Sequence, residues 1–300
     1  TFGYSNGVSN NGTVVGTLFT KTGKRSCCTG INAAFVYSNG SRTTLPLLSG
    51  MVQGFAEGIS ADGQHAYGYN TLSSQGTGSA VRWNWASGGG WSAELIGPPA
   101  NQLPEVYWLT TGSSDDGTVL VGYGYYGSSF ANPALRGKHE GWLWISGNSP
   151  EWLSLGVGVR VHDIDPTAHL IVGTRYQDNG DTTFTPKAVY WIASDGFTIP
   201  HDLITAAGDG SVARGVGRLA NGDLVIVGEL QWGQPQSRNG VAWLPQSSGG
   251  YGAPLLLHAI NGSTSQLAGA EDVNANGIVV GYSDTGGGRR AVLWQLPGTP

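Results

Sequence analysis

The chain reads as short apolar runs separated by tight polar turns. Five Asn-Gly or Asp-Gly turns each precede an apolar run, at Asn11-Gly12, Asp62-Gly63, Asp116-Gly117, Asn221-Gly222 and Asn276-Gly277. Such dipeptides favour two-residue hairpins because both central residues must adopt positive φ. The glycines lie 51, 54, 105 and 55 residues apart, and the doubled interval hides a copy in which Asp165-Pro166-Thr167-Ala168 replaces the glycine turn. A second marker runs through all six copies. Each apolar run after a turn ends in glycine, at Gly16, Gly68, Gly122, Gly173, Gly228 and Gly281, spaced 52, 54, 51, 55 and 53 residues. A third is the aromatic that closes the next apolar segment: Tyr37, then Trp83, Trp144, Trp191, Trp243 and Trp294.

These markers divide each unit of about 53 residues into strands A to D. Strand A precedes the turn and is rich in small residues, strand B ends at the marker glycine, strand C carries the aromatic, and strand D follows a further turn, as in Thr43–Leu48. Four antiparallel strands repeated six times predict an all-β, six-bladed β-propeller with the small residues of strand A innermost. The predicted blades, in a single domain of residues 1–300, cover about 1–50, 51–99, 100–156, 157–206, 207–262 and 263–300. The sixth stops after strand C and is expected to be three-stranded.

Composition fits this reading. Gly is 50 of 300 residues, Pro only 14, and charged residues are 12%. Without a Gly-X-Y period this is neither collagen nor a disordered chain. A net charge of -5 without clustered Lys and Arg argues against nucleic acid as a partner. No apolar run reaches the ~18 residues of a membrane span, so the sequence reads as a soluble segment, expected to be monomeric. Cys27 and Cys28 are adjacent. A vicinal disulfide, two free thiols and a bond to another chain all remain open.

The strand A motif, the Val-Val-Gly run and the Ala-Val-x-Trp segment are clearest in Asp272–Gly281 and Arg290–Trp294, with a partial copy at Gly58–Gly63. This pattern resembles the HAF repeat family of extracellular bacterial proteins, over essentially the whole chain. The resemblance implies export to the cell surface or medium, and carries no catalytic residues with it.

Candidate chemistry lies where the repeat is broken. Two residues before each Ile or Val of strand A stand Asn6, Glu57, His162, Arg214 and Glu271. At equivalent places on inner strands, these side chains are expected to line the mouth of the axial channel. Glu57 and Glu271 would suit acid and base roles on a glycosidic bond, while His162 beside Arg214 would suit proton abstraction next to a uronate carboxylate. The equal alternative is an ion network around water. The B-to-C loops add aromatics and charges that suit a sugar: Tyr125, Tyr126, Arg136, His139, Arg175, Tyr176, Trp232, Arg238 and Arg289, with Trp108 as an off-pattern aromatic. The repeated Trp of strand C is read as core. Asp178-Asn179-Gly180-Asp181 offers oxygen ligands for Ca²⁺ but lacks the remaining spacing of a calcium loop. The expected function is therefore carbohydrate binding, with glycan cleavage by a hydrolase or lyase as an extension. A non-catalytic adhesion or protein-binding scaffold is the rival.

Overall fold

In the computed structural model, the described residues form 23 strands in six antiparallel sheets, and strands follow chain order within each sheet. The residues described are 2–21, 30–72, 78–97, 106–127, 132, 134–135, 137–147, 149–179, 184–205, 210–232, 237–260, 267–284 and 288–298. Contacts divide the chain into two compact units, Thr1–Val157 and Gly158–Pro300, the boundary falling between the third and fourth predicted blades. The first unit holds three sheets: β1 (Phe2–Val8), β2 (Val14–Lys21), β3 (Gly30–Ser38) and β4 (Ser41–Thr44); β5 (Gln53–Ile59), β6 (His65–Thr71), β7 (Gly78–Ala86) and β8 (Gly90–Ile96); β9 (Val106–Ser113), β10 (Val119–Tyr126), β11 (His139–Ile145) and β12 (Glu151–Val157). The second holds β13 (Val159–Ile164), β14 (Leu170–Asp178), β15 (Phe184–Ile192) and β16 (His201–Asp202); β17 (Gly210–Arg218), β18 (Leu224–Trp232), β19 (Ser237–Trp243) and β20 (Leu255–Leu257); and the three-stranded β21 (Ala268–Val273), β22 (Ile278–Asp284) and β23 (Arg289–Gln295). Each sheet is one blade, and the fold class is the six-bladed β-propeller that the repeat predicts.

The first strand of each blade turns back on a residue of positive φ: Gly12, Gly63, Gly117, Gly222 and Gly277, at 65° to 92°. In the copy without glycine, Ala168 takes the same role at φ 56°. Asp165 holds that turn, its buried carboxylate accepting the amides of Thr167, His169 and Leu170. A Cβ at positive φ is strained. Ala168→Gly is therefore expected to raise stability by roughly 0.5–1 kcal/mol after the entropy cost of glycine, measured by urea melts.

The marker glycines have a different cause. In every blade the pairing of the first and second strands skips one residue: Asn6, Glu57, Thr111, His162, Arg214 or Glu271. Such a bulge pushes the backbone of the inner strand onto its partner. A Cβ on Gly68 would strike the Phe55 carbonyl oxygen, one on Gly228 that of Val212, and the other four markers meet a carbonyl in the same way. The repeated glycine in the sequence is thus the imprint of a repeated bulge.

The core lies in layers between neighbouring sheets. Val15, Ala34, Val36 and Leu45 of the first blade pack on Ala56, Ala66, Val81 and Trp83 of the second. Trp83, Trp191 and Trp243 are fully buried. Each buried indole is worth about 4–6 kcal/mol of apolar transfer as an upper bound. The indoles also tie blades together: Trp83 donates to Pro46 O (2.6 Å), Trp243 to Ile204 O (3.0 Å) and Trp294 to His258 O (2.8 Å), each carbonyl lying just beyond the last strand of the preceding blade.

Candidate functional site

The five polar strand A residues picked out by spacing are all bulge residues, and the sixth bulge residue is Thr111. A bulge re-aims its side chain relative to the regular pleat. In four blades the bulge residue is gathered with the residue that follows the marker glycine. His162 Nε2 lies 3.2 Å from Thr174 Oγ1, and Arg214 Nη2 lies 2.9 Å from Glu229. Glu57 with Tyr69, and Thr111 with Tyr123, line one cavity.

That cavity, of about 330 Å³, belongs to the first unit and is completed by Leu109 and Thr110. Asn6 Nδ2 donates to Ala56 O (2.8 Å) and to Glu57 Oε2 (3.4 Å), fixing the carboxyl. Burial pushes Glu57 above the usual carboxylate range. Tyr69 stacks on Phe55 (4.6 Å, 12°), and Tyr107 meets Tyr69 edge-on at 5.3 Å. The phenols of Tyr4, Tyr69 and Tyr107 are all raised, first by burial and further by the nearby Glu57 charge. They therefore stay protonated and act as hydrogen-bond donors rather than bases.

In the second unit Arg214 and Glu271 belong to a charged cluster around Glu229. Glu229 is fully buried and accepts from Arg214 Nε (3.0 Å), while Arg238 Nη1 approaches its other oxygen at 3.5 Å. Burial pulls Arg214 down, but Glu229 and Glu271 hold it above its ordinary value. Burial pushes Glu271 up, with Glu229 adding to it and Arg214 and Arg289 opposing. The Arg289 guanidinium sits 3.9 Å from the Tyr282 ring centroid. Arg214 is thus engaged by a carboxylate rather than open to a uronate.

Other predicted ligand residues lie elsewhere. Trp108 is only 5% exposed, packed on β9 with Trp152 and Tyr126. Tyr126 is also core, its hydroxyl bonded to Glu140. Trp108, read as an off-pattern ligand aromatic, and Tyr126, read as a loop aromatic, are both corrected to interior residues. Tyr125 is exposed, with His139 at 5.0 Å. Arg175 pairs with Asp202 at 2.8 Å on the surface, and Tyr176 lies under Arg160. Trp232 ends β18. Arg136, Cys27, Cys28 and Asp181 lie outside the described residues. Among the described residues, no group of three or more His, Cys, Asp or Glu could hold a metal ion, and no helix is long and apolar enough to cross a membrane. The sequence reading missed Thr111 and Tyr69; it had Tyr107 as an off-pattern aromatic before the third blade and Tyr123 and Glu229 among the B-to-C loop residues. Tyrosine directly after the marker glycine, in Gly68-Tyr69, Gly122-Tyr123 and Gly281-Tyr282, was the available signal.

No protein-family model and no curated protein matches the chain. Solved structures with a similar fold include an acylaminoacyl peptidase of Pyrococcus horikoshii (TM-score 0.58, 14% identity, 98% of this chain and 45% of that one). Prolyl oligopeptidase B of Galerina marginata gives 0.58 at 11% identity over 97% and 39%. An ulvan lyase, from a polysaccharide lyase family, gives 0.54 at 9% identity over 96% and 77%. The chain spans less than half the length of either peptidase, and at these identities the likeness is one of fold.

Proposed function

We propose that this chain is an exported, monomeric β-propeller that binds a glycan, with one sugar residue seated in the Glu57 cavity. The observation that carries this reading is the lining itself. Tyr69, backed by Phe55, and Tyr123 offer apolar surface to sugar C–H groups, while Glu57, the tyrosine hydroxyls and Thr111 offer directed polar contacts. The volume sits at the small end of ligand pockets, as a monosaccharide unit requires. The HAF-like repeat supports an extracellular setting, and the sparse basic residues disfavour nucleic acid.

A glycan array followed by calorimetry on the best ligand tests this. Glu57→Gln keeps the volume and removes the charge, and is expected to weaken binding about tenfold, with unchanged thermal stability. A blank array, together with capture of a defined protein partner, would favour the scaffold reading instead. Cleavage is a second reading, favoured by the raised Glu57 carboxyl in the wall of the tyrosine-lined cavity. A screen of neutral and uronic-acid polysaccharides is expected to release reducing ends or unsaturated products, and no product from any of them removes it.

A further inference from the structure

The first unit holds another cavity, of about 380 Å³, at the opposite end of the strands from the tyrosines that follow the marker glycines. It sits among the tight turns of the first and second blades, beside Asn11, Gly63 and Asn39. Its walls include Trp85 and Trp91, direct partners across β7 and β8, with ring centroids 5.5 Å apart and tilted by 59°. Trp85 is 40% exposed, and its backbone amide is anchored to Gln64 O at 2.9 Å. The two indoles form an aromatic corner with one ring open to solvent.

The polar half of the lining is neutral. Thr13, Ser38, Asn39 and Gln64 contribute hydroxyls and amides, and among the described residues no charged side chain lines the cavity. Asn11 is already committed, its oxygen accepting from Ser9 and Thr13 and its amide donating to Asp62 O. The Thr13 hydroxyl, the Ser38 hydroxyl and the Asn39 and Gln64 amides make no hydrogen bond to other described residues. Each amide both donates and accepts, as vicinal sugar hydroxyls require. An ionised ligand would lose hydration here without meeting a counter-charge. The ligand class that fits is an uncharged molecule with one apolar face and a rim of hydroxyls.

We infer that the Trp85–Trp91 cavity is a second sugar-binding site, one that takes a neutral oligosaccharide and stacks it on the tryptophans under the Asn39 and Gln64 amides. It shares the ligand class of the proposed function but rests on different residues, so the two fail separately. Cello-, xylo-, manno- and galacto-oligosaccharides are titrated into the protein, following indole N–H resonances and tryptophan fluorescence. At least one is expected to saturate with shifts at Trp85 and Trp91, in the wild type and in Glu57→Gln alike. Asn39→Ala and Gln64→Ala are expected to weaken it about tenfold, and Trp85→Ala to abolish it. Thermal melts identify any variant that fails to fold, in which case Gln64→Ala decides. The inference is overturned if no oligosaccharide moves the Trp85 signal, if Gln64→Ala and Asn39→Ala bind as the wild type does, or if Glu57→Gln removes the shifts. Equal binding of an oligogalacturonate overturns the neutral specificity.

Discussion

Alanine in place of Gly228 is expected to destabilise the protein by roughly 3 kcal/mol, although glycine-to-alanine changes at permissive sites stabilise. Gly228 has ordinary strand geometry, so backbone strain is not the cause. The cause is steric: the new Cβ would enter the Val212 carbonyl oxygen and crowd Ala213. That backbone cannot retreat, because Ala213 and Val227 are fully buried and β17 is hemmed in by β21. Relief would require flattening the bulge at Arg214. The guanidinium would then swing away from Glu229, leaving a fully buried carboxylate with, among the described residues, the 3.5 Å contact from Arg238. Breaking such a pair on one side is costly. Gly147→Ala is the control, since a Cβ there meets nothing within 4 Å, and it should change stability by less than about 0.5 kcal/mol. Urea melts of both variants decide. A loss below about 1 kcal/mol in Gly228→Ala would mean that the bulge does not fix the marker glycine.

The same contact explains why the scaffold was legible. A carbonyl pressed against the second strand forbids any Cβ, so the glycine recurs at a fixed place and can be counted in sequence. Turn glycines recur because positive φ is demanded, and even the copy without one keeps the conformation at Ala168. Five of the six bulge residues were legible because Asn6, Glu57, His162, Arg214 and Glu271 interrupt small or apolar strands. Thr111 escaped because Ser113 stands where other copies carry Ile or Val. Trp108 and Tyr126 were misread because their burial comes from tertiary packing against Trp152 and Glu140, which no local pattern announces. Glu229 was placed in a loop because nothing near it marks its partner, Arg214, fifteen residues earlier on the adjacent strand. The Trp85–Trp91 cavity was hidden for the opposite reason. Its turns are short and uniform, and its lining gathers residues of two blades from position 11 to position 91.

Stability is expected to fall as pH rises from about 4 to about 8, and Asp163→Asn is expected to remove most of that fall. The residue after each bulge is glycine in four blades, at Gly7, Gly58, Gly112 and Gly215, but Asp163 and Asp272 in the other two. Asp163 Oδ2 accepts the Val216 amide at 3.0 Å. Burial, reinforced by the Asp272 charge, pushes the Asp163 carboxyl from 3.8 up to about 8, and burial raises Asp272 as well. Between those pH values the folded protein holds a proton that the unfolded chain has released, so stability is greatest below the unfolded pKa and is lost as pH climbs through the folded one. A tenfold change in proton affinity is worth about 1.4 kcal/mol. Asp163 is partly exposed to solvent, so the full shift is discounted and the Asn variant should gain roughly 3 kcal/mol on the wild type between pH 4 and pH 8. Asparagine keeps an oxygen for the Val216 amide and cannot ionise, which separates charge from hydrogen bonding. Asp272→Asn supplies the second arm: removing its charge should move the Asp163 transition to lower pH without abolishing it. Parallel stability curves for wild type and Asp163→Asn across this range would show that the carboxyl is ionised at no cost, and that the glycine of the other four blades is replaced here without electrostatic consequence.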